Sequence, residues 1–366
     1  MIRRVAYLCL QTTREGQASY AHVNEIVNGL RRRGVTVDLY EPEDRAGLGP
    51  VRKLLAFLGV QLRLIFHLAD YDAIYLRGHF AQGPAIFAAW VLRVPQVHEV
   101  NGPMEDLFVM YPWTRPLAGL ITRVVRFQHH LADAIVTVTP QMAAWCATEF
   151  RHRNIFVIPN GANLEFFHPG ARSPQAPAGS YAVFFGAFSP WQGIATMLEA
   201  VQHPEWPQGT RLVLAGDGTE RPRVEAAAAA GDRVLYLGVV PYRDLAGFVA
   251  PAAVGLCVKN DEGGHAGMGW SPLKLYEMMA TGIPVVVSDL AGQADVVDGA
   301  QAGLVVPPGD AGALAKAVAR LVQDPAERRA MGERGSDLVL RNHSWDRRAQ
   351  DTWEILQGVA RGAGTP

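Results

Sequence analysis

A chain of 366 residues has room for two domains that each bury a core of their own. With 49% hydrophobic and 19% charged residues and a net charge of −1, it reads as an ordinary globular protein with no general electrostatic pull toward nucleic acid. No apolar run reaches the ~18 residues of a membrane span, and Cys9, Cys146 and Cys257 are scattered through apolar segments. That pattern implies buried thiols in a reducing, cytoplasmic setting, and neither a disulfide framework nor a metal cluster.

Val5–Leu10 is an apolar run that Gln11–Gly16 interrupts at once, so a first core strand is expected there and not a signal segment. Val35–Leu39, Ala73–Leu76, Gln96–Val100, Ala134–Val138 and Ile155–Ile158 are the next strand candidates. Helical patterns over Ser19–Arg33, Val51–Leu68 and Thr114–Leu131 lie between them. Continuous apolar strands separated by helices call for a parallel sheet covered on both faces. Residues 168–179 have no periodicity and are rich in Pro and Gly, which reads as a linker. The alternation resumes with Tyr181–Phe185, Arg211–Leu214, Val234–Leu237, Val254–Val258 and Val285–Ser288. Residues 1–167 and 180–344 are therefore expected to be two α/β domains facing a central cleft, with a closing helix over 345–362 returning to the first.

The stretch Ser271–Asp289 carries the most chemistry. Ser271 is placed as an N-cap and Pro272 at the first helical position, while Gly282 ends the helix and Pro284 opens a β-branched strand. A helix start beside Lys274 offers amide N–H groups, the positive end of a dipole and a cation to a phosphate. One turn on, Glu277 can accept hydrogen bonds from polyol hydroxyls. Phosphate beside a polyol describes a nucleotide sugar. Three further strand–turn–helix junctions surround Asn160-Gly161, Gly186–Gly193 and Gly216-Asp217-Gly218, each explained by turn geometry when taken alone.

In this order and spacing the segments resemble the retaining GT-B glycosyltransferases of the family 4 type. The resemblance rests on Pro159-Asn160-Gly161 before Phe167-His168-Pro169, Gly186 with Trp191-Gln192-Gly193, Leu214–Gly218, Leu237-Gly238-Val239-Val240-Pro241, and Ser271–Lys274 with Glu277 and Gly282–Val285. In the first half it is looser: Gly16 after the first strand, His22 in the next helix, and Val97-His98-Glu99 at a strand end. It implies two Rossmann-like domains, with the nucleoside-diphosphate sugar on the second and a hydroxyl acceptor on the first. The reaction implied is transfer with retention, without cofactor or metal, in cell-surface polysaccharide, glycolipid or secondary-metabolite glycoside synthesis. It further implies that Glu277 holds the ribose, backbone at Val239 and Val240 the base, and Lys274 with the Leu273 helix start the phosphate. Gly16 and Gly186 would lie near the diphosphate and His98 against the transferred sugar. Glu99 and Asn101 share the strand end with His98, and Arg77 and His79 stand on the acceptor side.

Two departures from the family pattern stand out. Its first Glu, eight residues before Glu277, is Gly269 here, and its basic Arg/Lys pair is Ala187 and Gln192. Lys274, Lys259 and the helix-start amides are the available compensation, with Glu262 or His265 as replacements for the missing Glu. The Gly-rich loop 259–270 is either a solvated loop or a lid whose amides, Gly264 among them, wrap the donor. A nucleotide-sugar-binding homologue without activity and a nucleotide-sugar epimerase remain as alternatives. A nicotinamide oxidoreductase finds no Gly-x-Gly-x-x-Gly loop after the first strand. Asp70-Tyr71-Asp72 spells an Asp-x-Asp motif but sits between a helix end and a strand, and is read as a turn.

No Asp or Glu occurs between Asp44 and Asp70 or between Asp106 and Asp133, where Arg52, Lys53, Arg63, Arg115, Arg123 and Arg126 stand among apolar residues. Core-packed helices whose arginines snorkel into water are preferred; peripheral contact with an anionic membrane, at its inner face, is the other reading. No basic patch or aromatic platform suited to nucleic acid is present.

Overall fold

Twelve strands form two parallel six-stranded sheets in a computed structural model that describes residues 2–13, 18–42, 49–103, 108, 112–260 and 265–362. The described residues fall into two units, one holding β1, Ser19–Pro159 and the chain from Asp346, the other chiefly Asn160–Trp345.

In the first unit β1 (Arg4–Cys9), β2 (Thr36–Tyr40), β3 (Ala73–Arg77), β4 (Gln96–Val100), β5 (Ala134–Thr137) and β6 (Ile155–Val157) stand in the order β2-β1-β3-β4-β5-β6. The crossovers are α1 (Ala18–Arg32), α2 (Pro50–Ile65), α3 (Gly83–Leu92), α4 (Ala118–His130) and α5 (Pro140–Glu149). Ala6, Leu8, Ile74 and Leu76 on one sheet face pack with Phe57, Val60 and Leu64 of α2 and Ile86 and Ala89 of α3. The register sets Glu99 opposite Arg77 and Val136, so a carboxylate and a guanidinium stand side by side near two strand ends. The last helix, α13 (Trp345–Gly362 in the chain), joins this unit by closure on α1. A Cβ on Gly29 would sit 2.3 Å from Ala349 Cβ, so only glycine allows the two helices to approach this closely. Arg33 donates to Asp346 and Gln350 across the same contact.

In the second unit β7 (Tyr181–Ala187), β8 (Arg211–Asp217), β9 (Val234–Tyr236), β10 (Val254–Cys257), β11 (Val285–Ser288) and β12 (Gly303–Val306) are ordered β12-β11-β10-β7-β8-β9. Its helices are α6 (Ile194–Ala200), α7 (Arg221–Ala229), α8 (Tyr242–Val249), α9 (Leu273–Ala280), α10 (Gln293–Ala300), α11 (Ala311–Gln323) and α12 (Pro325–Asn342). Tyr181, Val183 and Phe185 look into one core, shared with α8 and α9, while Ala182 and Phe184 look into the other, shared with α6 and α11. Both units are parallel sheets covered on two faces, as the continuous apolar strands require.

Several boundaries differ from the sequence expectations. The units divide at Pro159–Asn160, ahead of 168–179, because Asn160 and Phe167 are buried in the second unit. Ala162 also bridges to Ser344 there. The 112–117 segment is a 3-10 turn before α4, since Pro116 cannot donate to a regular first turn. β12 lies outside the expected strands.

Candidate active site

The second unit gathers its polar side chains at the C-terminal ends of β7 and β10 and at the start of α9. Ser271 is not the cap of that helix. Its hydroxyl accepts from the Asn160 amide at 3.1 Å and pairs with the Tyr276 hydroxyl at 3.0 Å, leaving Pro272 as the extended cap residue and Leu273 as the first helical one. With no side-chain cap in place, the first amides of α9 point outward as donors. Thr281 closes the helix and Gly282, at φ +77, follows it in the left-handed region.

Lys274 lies one residue inside this start. Its Nζ is 2.9 Å from Gln192 Oε1 and 3.8 Å from the centroid of the Phe184 ring. Gly186 makes room for it: a Cβ there would stand 3.0 Å from Nζ, at a φ of +127. Burial pushes the Lys274 ammonium down to about 7, with Lys259 adding repulsion and Cys257 and Glu277 opposing it. Lys259 is also buried, with Nζ 4.2 Å from the centre of the Trp270 ring, and burial lowers it to about 8. Its backbone is clamped by Ser288, whose hydroxyl accepts from Lys259 N and donates to Lys259 O, both at 2.8 Å. Neither lysine has a carboxylate within ion-pair distance among the described residues. Two sequestered cations with no counter-ion among the described residues suit an anion.

Glu277, one turn along α9, is 3% exposed and accepts a 2.7 Å hydrogen bond from the Tyr242 hydroxyl. Tyr242 opens α8 two residues after Val240, so the segment expected to hold a base is tied to the residue expected to hold a ribose. Sequence reasoning missed Tyr242, which carries no motif. The structure thus brings together Gly186, Gln192, Leu273, Lys274 and Glu277, while Val240 and Tyr242 each pack against the core that α9 helps to form. Gly16, Glu262 and Gly264 lie outside the described residues. Gly269 has φ +72, a backbone state that a glutamate adopts only with strain.

In the first unit Glu99 is the centre of a buried cluster. It receives Arg77 Nη1 at 2.5 Å, lies 3.0 Å from His22 Nε2, and accepts from the Tyr7 hydroxyl at 3.4 Å and from Asn101 Nδ2. Burial pushes the Glu99 carboxyl up, but His22 and Arg77 more than offset it and hold it well below the usual carboxylate range. His98 does not share this cluster, contrary to the sequence expectation. Successive strand residues face opposite ways, and His98 points to the α4 side, with Nδ1 3.1 Å from His129 Nδ1 and Nε2 3.1 Å from Gln96 Oε1. It is 1% exposed, both ring nitrogens are engaged within the protein, and burial holds it well below its ordinary value. His79 is likewise apart, packed between the Phe57 and Phe80 rings at 4.9 and 4.6 Å and lowered by burial to about 4. Among the described residues expected in the first unit, Arg77, Asn101 and His22 meet at Glu99, while His98 and His79 lie apart from it. Asp72 accepts from the backbone N–H groups of Arg3 and Arg4 and so fixes the entry to β1, in keeping with a turn.

Residues 179–324 match the family described as Glycosyl transferases group 1, and residues 21–166 match Glycosyltransferase Family 4. A curated relative, the phosphatidyl-myo-inositol mannosyltransferase of Mycobacterium leprae (strain TN), is 25% identical, with 98% of this chain and 97% of that protein covered. Among solved structures, sucrose-phosphate synthase from Thermosynechococcus elongatus superposes with a TM-score of 0.78 at 23% identity, covering 98% of this chain and all (100%) of that one. Anabaena Alr3699/HepE in complex with UDP-glucose gives a TM-score of 0.70 at 16% identity, over 98% of this chain and 100% of the other.

Proposed function

We propose, for a chain that belongs to the family 4 type of glycosyltransferases and carries their GT-B fold, that it moves a sugar from a nucleoside-diphosphate sugar to an acceptor hydroxyl with retention at the anomeric carbon. The observation that carries the reading is Lys274 at a helix start with no side-chain cap, one turn from Glu277, with Lys259 also buried and neither lysine paired with a carboxylate among the described residues. The diphosphate sits on Lys274 and the amides of Leu273 and Lys274, and the ribose hydroxyls donate to Glu277, which Tyr242 holds in place. Backbone at Val239 and Val240 flanks the base. The acceptor oxygen bonds to the anomeric carbon on the face from which the phosphate oxygen departs, and the acceptor proton passes to that oxygen. Lys274 then meets the charge left on the diphosphate, so the step calls for no metal. Preorganised donors of this kind contribute about 10²–10³-fold each.

On the first unit, Arg77, Glu99 and Asn101 receive the acceptor, while His98 keeps a positioning role through His129 and Gln96. A glycolipid acceptor fits the name of the Mycobacterium leprae relative. The buried free thiols of Cys9, Cys146 and Cys257 support a cytoplasmic, reducing setting.

Thermal shift with UDP-, GDP-, ADP- and dTDP-sugars identifies the donor, since only the true one raises the melting temperature. With that donor, Glu277→Ala should weaken binding at least tenfold, and Lys274→Ala should lower kcat more than it weakens binding. Normal transfer by both variants would place the site elsewhere. Donor binding without transfer to any acceptor would make the chain a binding subunit, a reading favoured by Ala187 and Gln192 in place of the usual basic pair.

A further inference from the structure

Helices α2, α3 and α4 lie side by side in the first unit, α3 touching both neighbours. Each buries one side and leaves large apolar groups on the other. On α2, Phe57, Val60 and Leu64 go inward while Leu54, Leu55, Leu58 and Leu62 are exposed, and Phe66 just beyond is 82% exposed. The α3 helix is apolar on every side, with Ile86 and Ala89 inward and Phe87, Trp90, Val91 and Leu92 outward. A helix of that kind is ordinarily covered. On and beside α4, Leu117, Leu120, Val124 and Phe127 are exposed. Most of the strongly exposed large apolar side chains among the described residues belong to this one face, and a contiguous patch of such size marks an interaction surface.

Charge selects the partner. Arg52, Lys53, Arg63, Arg93, Arg115 and Arg123 are exposed on or at the ends of the same helices, and none has a carboxylate partner among the described residues. No Asp or Glu occurs in residues 45–69, 73–98 or 107–132. The sequence alone favoured core-packed helices with snorkelling arginines, yet the apolar side chains between the arginines stand in the open. A protein partner would need a matching broad acidic and apolar surface, whereas an anionic bilayer supplies both across its whole area. We propose that the outward face of α2, α3 and α4 docks on an anionic lipid surface, with the leucines and Trp90 entering the headgroup boundary and the basic residues resting on the phosphates. This surface is separate from the residues assigned to glycosyl transfer, and its test does not depend on that assignment.

The test is sedimentation of the full chain with vesicles of phosphatidylglycerol and phosphatidylcholine, against phosphatidylcholine alone. Binding is expected only to the anionic vesicles, weakened but not abolished by high salt. Arg52→Glu with Lys53→Glu should reduce the partition coefficient at least tenfold, because each basic residue near the surface is worth roughly fivefold. Leu58→Asp with Trp90→Asp should reduce it to the neutral-vesicle level. Both pairs are exposed, so an unchanged melting temperature would show that the fold is intact. Equal binding by the wild type and both variants would overturn the proposal. So would a concentration-dependent dimer, measured by light scattering, that Leu58→Asp with Trp90→Asp dissolves while leaving vesicle binding unchanged, for then a second copy covers the face.

Discussion

The Lys274 ammonium donates to the side-chain oxygen of Gln192 at 2.9 Å and has no carboxylate partner among the described residues. A neutral amide meets one N–H of a cation but none of its charge, which explains why burial can push that group down to about 7. Gln192 thus stands where a basic residue is usual in the family and hydrogen-bonds Lys274 instead.

Donor affinity should therefore depend on pH. A diphosphate selects the protonated lysine, and above the pKa of the unliganded protein each binding event must take up a proton. Affinity for the nucleoside diphosphate of its donor should be greatest below about pH 7 and should fall by up to about tenfold per unit above it, until the higher pKa of the complex is reached. Without ligand the sign for stability is the opposite. The lowered folded pKa means that the unfolded chain holds more protons between about 7 and 10.5, so Lys274 contributes stability that rises with pH across that window. Calorimetry of nucleoside-diphosphate binding from about pH 6 to 9, with the nucleotide of the donor that thermal shift identifies, checks the first claim, and Lys274→Met should flatten the profile. A pH-independent affinity in the wild type would contradict it.

Gln192→Glu should invert the balance. A carboxylate in place of the amide supplies the missing counter-ion, raises the Lys274 pKa and stabilises the unliganded unit. It also occupies the cation and repels the diphosphate, so binding of the donor's nucleoside diphosphate should weaken at least tenfold while the melting temperature rises. Thermal unfolding with and without that nucleotide separates the two effects. A variant that binds the nucleoside diphosphate as well as the wild type would show that Lys274 does not face the phosphate.

In the first unit, acid should act through histidine before it acts through Glu99. His129 packs on Phe150, with ring centroids 4.4 Å apart, and faces His98; burial, with repulsion from His152, lowers it to about 4. Because the folded pKa lies below the unfolded value of 6.5, the stability tied to its neutral form is present above 6.5 and is lost as pH falls toward 4. For one such group the loss is on the order of 3 kcal/mol. Glu99 resists this range, since its carboxylate stays ionised well below it. Urea midpoints between about pH 7 and pH 4 should therefore fall, and less steeply in His129→Gln. An identical slope in that variant would move the effect to other groups.

Much of this arrangement was readable in the chain, and the gaps have physical causes. The strands Gln96–Val100 and Val285–Ser288 have the bounds their apolar runs indicate, because a strand buried on both faces needs no alternation to be recognised. That same two-sided burial misled the reading of His98, whose proximity in sequence to Glu99 concealed the sheet between them. Ser271 is a good cap residue by type, but its hydroxyl is drawn to Asn160, which lies 111 positions away in the chain. The Tyr242–Glu277 bond likewise spans 35 positions with no local pattern to announce it. Helix and strand existence is local information, whereas the orientation of a buried polar side chain is decided by partners brought together only by the fold.

Gly269 offers the last test, because restoring the family residue there should harm the protein. Its φ of +72 places it in the left-handed region, where a side-chain-bearing residue is strained by about 1–2 kcal/mol. The next residue, Trp270, carries the ring beneath the Lys259 ammonium, and its carbonyl would meet a Cβ on Gly292 at 2.5 Å. The backbone around 269 thus has little room to rotate out of the strain without disturbing the lysine. Gly269→Glu should lower unfolding stability by about that 1–2 kcal/mol, weaken nucleoside-diphosphate binding and bring no gain in kcat. Gly269→Ala should share the stability loss, which separates backbone strain from the added charge. If Gly269→Glu instead folds with unchanged stability and transfers sugar faster, the site accommodates the usual glutamate, and the burden placed on Lys274 is smaller than its burial implies.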